Sequence, residues 1–259
     1  MKFLSNEEIR ESAPSVFQNG QFEGLSEHYI HIPTTRVMSD MELLGWKVVK
    51  ADEVKARVRQ GFQKHILTFQ NPEITIQSKD GDVVIPQIIL INRQSGKSKF
   101  KFAAGLFRVV CSNGLVIADE EFANLEIRHM GYTFEELQVI MNQIVEKLPL
   151  TVESMNKMRE TELDREAQIE FAIKCIETRF DEDQIIKLDI DSVLDPIRNE
   201  DMGGDLWSVF NVVQEKVLAG GFEVMTKKGK VRKAREVKNF VQDQEINKKL
   251  YEVALKFMN

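Results

Sequence analysis

Along the first half of the chain, apolar positions recur every second residue or gather in short β-branched runs, the spacing of strands. Val83-Val84-Ile85 and Gln87-Ile88-Ile89-Leu90-Ile91 lead into the polar turn Asn92 to Ser98, after which Lys99-Phe100-Lys101-Phe102 alternates cation with aromatic. This predicts a hairpin with both phenylalanines on one face, filling the core, and both lysines on the other. Phe107 to Val110 and Leu115 to Ile117 flank Ser112-Asn113-Gly114, a second predicted hairpin whose Asn-Gly tolerates positive φ. His65 to Phe69 and Glu73 to Ile76 form another expected pair around Asn71-Pro72, and Asp80-Gly81 turns into the next strand. Short turns between strands imply an antiparallel, meandering sheet.

The period changes after Thr133. Phe134, Leu137, Ile140, Met141, Ile144, Val145 and Leu148 keep the spacing of three and four that lines one helix face. Thr133 with Glu135-Glu136 caps its start, and Pro149 is expected to end or kink it before helix resumes from Val152 to Thr178. Asp195-Pro196 is expected to open a further helix, Leu206 to Leu218 another that Gly220-Gly221 stops, and Gln242 to Phe257 the last, with Ile246, Leu250, Val253, Ala254 and Phe257 on its apolar face. Strands followed by helices predict an α+β fold, with a β-rich domain over 1–148 and a mainly helical region over 149–259 packed against it.

Composition narrows the function classes. The 259 residues are 42% hydrophobic and 29% charged, enough for a full-sized core. No stretch approaches the roughly 18 apolar residues of a membrane span, and the first residues lack the apolar run of a signal peptide, so a cytoplasmic protein is expected. Cys111 and Cys175 form no Cys-x-x-Cys pair and read as reduced, buried residues.

A net charge of -6 argues against coating duplex DNA through bulk charge, but the cations are uneven. Lys227, Lys228, Lys230, Arg232, Lys233, Arg235 and Lys238 crowd one basic stretch at 227–238 against the single acid Glu236, while Asp119-Glu120-Glu121 and the segment from Asp181 to Asp201 hold compensating acids. Arg57, Arg59 and Lys64 precede the His65 strand, and Lys97, Lys99 and Lys101 sit on the first hairpin. Cations following a groove neutralise phosphates and release counterions, and aromatics beside them, such as Phe100 and Phe102, stack on bases when they face outward. The candidate nucleic-acid-binding set is therefore Arg57, Arg59, Lys97, Lys99, Lys101, Lys227, Lys228, Lys230, Arg232, Lys233 and Arg235.

Signals for other chemistry are weak. There is no Gly-x-x-x-x-Gly-Lys-Ser/Thr and no Gly-x-Gly-x-x-Gly after a strand, so no nucleotide cofactor or hydrolysis is expected. His28 and His31 lack a third metal ligand at familiar spacing, and Asp40 with Glu53-x-Lys55 only loosely approximates a metal-dependent nuclease. Arg108 near Cys111 would lower a thiol pKa, yet strand alternation sends residues three apart to opposite faces. No catalytic or metal-binding residue is assigned.

The run Arg108-Val109-Val110-Cys111-Ser112-Asn113-Gly114, with Leu43-Leu44-Gly45-Trp46, His65 and the tail from Trp207 through Gly220-Gly221 and Gly229-Lys230-Val231-Arg232-Lys233 to Tyr251, resembles the phage- and plasmid-associated family called domain of unknown function nine-three-two. Tyr251 stands where members often have tryptophan. The resemblance implies a setting among mobile elements and no activity. The order of sheet then helices also resembles phage single-strand annealing proteins, an analogy of architecture. Together these point to a non-enzymatic, homo-oligomeric protein that binds or anneals single-stranded DNA in recombination or replication. The alternative is a counter-defence protein that binds and blocks a host protein complex.

Overall fold

The computed structural model describes residues 2–18, 32–54, 61–77, 83–93, 100–108, 114–116, 126–128, 132–185, 189–226 and 228–258. The chain divides into two compact units, one of residues 1–77, 83–107 and 119–148, the other of 78–82, 108–118 and 149–259.

The first unit opens with helix α1 (Asn6–Ser12), started by a reciprocal cap in which the Glu8 N–H donates to Ser5 Oγ and the Ser5 N–H donates to the Glu8 carboxylate. A 3-10 turn at Pro14–Phe17 and helix α2 (Thr34–Leu43) follow. Strands β1 (Lys47–Glu53), β2 (Lys64–Gln70), β3 (Ile76–Gln77), β4 (Val83–Arg93) and β5 (Phe100–Arg108) come next. The sheet runs β1-β2-β4-β5, with β3 paired to β4. Antiparallel register sets Val48 against Phe69 and Leu67 against Leu90. β2 lies between two neighbours and is buried on both faces from His65 to Gln70, so its sequence loses the polar alternation of a half-solvated strand. The core holds Leu67, Phe69, Ile88, Leu90 and Phe100, all essentially inaccessible.

One sequence expectation changes here. β2 pairs with β1 and β4, not with the strand that follows it. Asn71 does make a turn, its side-chain carbonyl accepting the Glu73 N–H at 3.0 Å, but this local device sets the chain direction and not the strand partner. The runs either side of Pro86 form one strand, β4. The Asn113 turn of the second expected hairpin lies outside the described residues, although β6 (Gly114–Val116) begins directly after it.

β7 (Glu126–Ile127) pairs with β5. Helix α3 (Phe134–Glu160) buries Leu137, Ile140, Met141, Ile144 and Leu148 as the spacing predicts, while Val145 of the same expected face is exposed, and the helix does not end at Pro149 but continues through it. The division between units falls at that proline.

The second unit contains α4 (Arg165–Glu177), α5 (Glu182–Ile185), α6 (Ile190–Leu194), α7 (Leu206–Ala219), strands β8 (Glu223–Met225) and β9 (Val231–Lys233), and α8 (Phe240–Phe257). Asp195-Pro196 follows a helix and does not open one: a residue before proline is pushed to extended backbone, and Asp195 at ψ 111 ends α6. α7 is buried at every position from Leu206 to Gln214, the mark of a helix enclosed by others, and packs on α4, α6 and α8. Phe171 meets Phe210 and Phe257 at 6.4 and 5.2 Å, and Gln214 donates to Asn247 at 2.6 Å across the α7–α8 contact. An antiparallel sheet in the first half and mostly helices in the second make the fold α+β.

Candidate nucleic-acid interface

Helix α7 ends at Gly220, whose φ of 76 is open to glycine and strained for other residues. A β-carbon there would also lie 2.5 Å from the Ala234 carbonyl oxygen, closer than atoms approach. Only glycine lets the chain turn out of α7 so close to the returning strand. Beyond it, β8 and β9 form a two-stranded antiparallel hairpin with Glu223 opposite Lys233, Val224 opposite Arg232 and Met225 opposite Val231. Its tip is closed by the Thr226 N–H donating to the Lys230 carbonyl at 2.7 Å and the Gly229 N–H to the Thr226 carbonyl at 2.8 Å. The Thr226 hydroxyl accepts the Lys230 N–H at 3.0 Å, the short-range bonding that makes threonine a turn residue.

The inner side of the hairpin is apolar. Phe222, Val224 and Ala234 are buried, and Phe222 meets Phe180 edge to face at 5.8 Å. The returning strand is tied to the end of α7 by the Val237 N–H donating to the Leu218 carbonyl at 2.8 Å. Arg179 completes the anchorage, donating one guanidinium nitrogen to the Val217 carbonyl and another to the Arg235 carbonyl while lying over the Phe180 ring. Burial, and after it the charge of Arg232, lowers the Arg179 pKa from its ordinary value; the group still remains a cation at neutral pH. Cationic donors at a helix C-terminus satisfy carbonyls that have no partner within the helix.

Lys228, Lys230, Val231, Arg232, Lys233 and Arg235 are all exposed, Arg232 at the margin of the face that holds Val224. Among the described residues none of these five cations forms an ion pair, even though Glu223 stands opposite Lys233. The nearest pairing in sequence is Lys238 with Glu236 at 3.9 Å, both exposed. The structure thus brings Lys228, Lys230, Arg232, Lys233 and Arg235 onto one hairpin of the second unit. Lys227, Arg57, Arg59, Lys97 and Lys99 lie outside the described residues.

Lys101 belongs to the first unit and is placed differently. It is exposed on β5, but register sets it opposite Glu126, whose carboxylate lies 2.9 Å from its ammonium. Phe100 and Phe102 are buried, at 0% and 3% exposure, and Phe100 contacts Tyr132 at 5.8 Å between ring centres. They fill the core and are closed to stacking on bases.

The residues considered for other chemistry also have places. Asp40 accepts the Tyr132 hydroxyl at 2.7 Å, and Glu53 accepts the Ser15 N–H at 2.9 Å; Lys55 lies outside the described residues. His28, His31 and Cys111 lie outside them too. Among the described residues no group of three or more potential metal ligands gathers. Cys175 is buried, and burial pushes its thiol pKa up, away from the reactive thiolate.

Sequence reasoning missed two features. One is Arg179, whose partners lie 38 and 56 residues away and leave no local signal. The other is a buried polar chain in the first unit: His65, fully inaccessible, bonds Ser15 Oγ through Nδ1 at 3.0 Å and Thr34 Oγ1 through Nε2 at 2.9 Å, and Asn92 donates to the same Thr34 oxygen at 2.9 Å. A histidine inside an otherwise apolar strand run was the available clue.

Comparison with known proteins adds kinship without chemistry. The chain is 29% identical over 253 residues to the UPF0380 protein YafZ of Escherichia coli (strain K12), covering 97% of this chain and 90% of that one. It is 28% identical, with the same coverage, to the UPF0380 protein YfjQ of the same organism. No solved structure matches the chain. Residues 21–251, which take in strand β2, the whole of α7 and the basic hairpin, match the family described as domain of unknown function (DUF932), and the chain belongs to that family.

Proposed function

We propose that this protein binds nucleic acid, single-stranded DNA above all, through the β8–β9 hairpin, and acts in DNA recombination or replication without hydrolysing a nucleotide. One observation supports the reading: five exposed cations that form no ion pair among the described residues stand on residues 228–235 of a protein whose net charge is -6. Strand Lys and Arg usually find cross-strand acids, as Lys101 does, because uncompensated like charge is destabilising. A local concentration of unneutralised cations fits a polyanion whose own counterions are released on contact.

The test is the triple variant Lys230→Glu, Arg232→Glu and Arg235→Glu. Each lost phosphate contact takes about 0.7 from the slope of log affinity against log salt for a single strand, so the slope is expected to fall by about two. All three side chains are exposed, so the melting temperature stays nearly unchanged. Unchanged affinity and slope in the folded variant remove the hairpin from the interface. Failure of the unaltered protein to bind oligonucleotide even at low salt removes the reading and leaves binding of a host protein as the alternative.

A further inference from the structure

The hairpin presents an open backbone edge as well as charge. Ala234 donates to the Phe222 carbonyl and Thr226 to the Lys230 carbonyl, so 222/234 and 226/230 are hydrogen-bonded pairs. In an antiparallel ladder such pairs alternate with pairs that exchange no bond. The Val224/Arg232 pair therefore faces inward, and the N–H and C=O groups of Val231 and Lys233 point away from β8. Neither residue's outward groups meet a partner among the described residues, and both residues are exposed. Two residues along a strand separate these N–H groups by about 6.8 Å, a span that neighbouring phosphates of an extended nucleic-acid strand can follow.

Charge stands on both sides of this edge. Lys233 shares the face of Met225 and Glu223, while Arg232 lies on the opposite face with Val224. An anion at the edge is thus flanked by a cation from each face, with Lys230 and Arg235 beyond the strand ends. A second copy of the chain is disfavoured there, because pairing β9 with itself brings these cations together, and lysine on an edge strand is a common guard against self-pairing. Base stacking has no platform on the hairpin's described outer residues, since Phe222, its aromatic residue, is buried.

We infer that the outer edge of β9 is a phosphodiester-backbone site, in which the Val231 and Lys233 N–H groups donate to successive phosphates while Arg232 and Lys233 neutralise them from either face. This rests on the nucleic-acid reading above and adds its mode: contact with the backbone, indifferent to base identity. Phosphate oxygens accept strong charge-assisted bonds from such amides.

Val231→Pro removes one outward donor without touching a charge, and proline is tolerated where an edge N–H faces solvent. Compared with Val231→Ala, it is expected to bind a labelled oligodeoxythymidylate about tenfold more weakly, the scale of one hydrogen bond to a charged group. Its salt slope stays unchanged, and random-sequence oligonucleotides bind as oligodeoxythymidylate does. Amide NMR on the unaltered full chain gives a second measurement that does not depend on the proline variant folding. Titration with oligodeoxythymidylate or inorganic tripolyphosphate is expected to shift the Val231 and Lys233 amides downfield more than the Arg232 amide.

Equal binding by the folded proline and alanine variants, or unmoved Val231 and Lys233 amides in a protein that does bind oligonucleotide, overturns this inference and leaves the cations alone as the interface. Oligoglutamate that binds as tightly and moves the same two amides also overturns it, by making the edge a site for an added peptide strand. If the unaltered protein binds no oligonucleotide, the reading beneath it fails as well.

Discussion

β5 and β9 both carry exposed lysine or arginine, yet their cations have opposite circumstances. On β5, Lys101 faces Glu126 across the ladder at 2.9 Å, and its neighbours Phe100 and Phe102 face a sealed core. On β9 every residue is exposed, Val231 at 47%, and the cations have no acid within ion-pair distance among the described residues. A basic strand becomes a candidate interface when its neighbours leave charge and backbone unsatisfied; the number of lysines does not decide it.

The strongest way to break the comparison is to show that β5 tolerates truncation. Phe100→Ala is expected to cost about 4 kcal/mol by leaving a cavity beside Tyr132, whereas Val231→Ala on β9 changes stability by less than about 0.5 kcal/mol. Urea denaturation of both variants measures the contrast. Similar losses at the two sites would mean that β9 is packed as β5 is.

Next in size is the junction that presents β9. Gly220→Ala places a methyl group against the Ala234 carbonyl at positive φ, and a loss of about 2 kcal/mol is expected. Arg179→Ala removes the donors to Val217 and Arg235, and a loss of about 1.5 kcal/mol follows from charge-assisted bonds on a half-buried side chain. Both variants are expected to speed amide exchange in β8 and β9 more than in α8. Exchange that rises equally throughout the second unit would show that the hairpin has no anchorage of its own.

The smallest effects carry opposite signs. Lys101→Gln gives up an exposed cross-strand pair and is expected to destabilise by about 0.5 kcal/mol or less. Arg232→Gln relieves repulsion with Arg179 and is expected to stabilise by a few tenths of a kcal/mol at low salt. Added salt shrinks both differences. Thermal melts at two salt concentrations test the pair, and a destabilising Arg232→Gln would reveal an acid partner for β9.

Much of the fold was legible because it is local. Apolar spacing located α3, α7 and α8, and alternation put Phe100 and Phe102 on one face of β5, which the structure buries. What failed was partner choice: the β2–β1 pairing and the place of Asp195-Pro196 at a helix end depend on what stands beside a segment and on the backbone limits before proline. The His65 chain escaped for the same reason, since Ser15 and Thr34 lie 50 and 31 residues from it. The basic stretch was visible as composition; its state was not.

By itself the sequence determined which stretches bury apolar surface, where the long helices α3, α7 and α8 form, and that residues 227–238 are rich in cations, because periodicity, glycine φ and charge belong to the residues themselves. Only the tertiary structure decided which of those cations are neutralised. Glu126 reaches Lys101 through the register of β5 with β7, Arg179 holds the base of the hairpin through carbonyls distant in sequence, and β9 is left as an edge because no further strand pairs with it among the described residues. Neutralisation and edge exposure are properties of neighbours brought together by folding, and no single segment contains them.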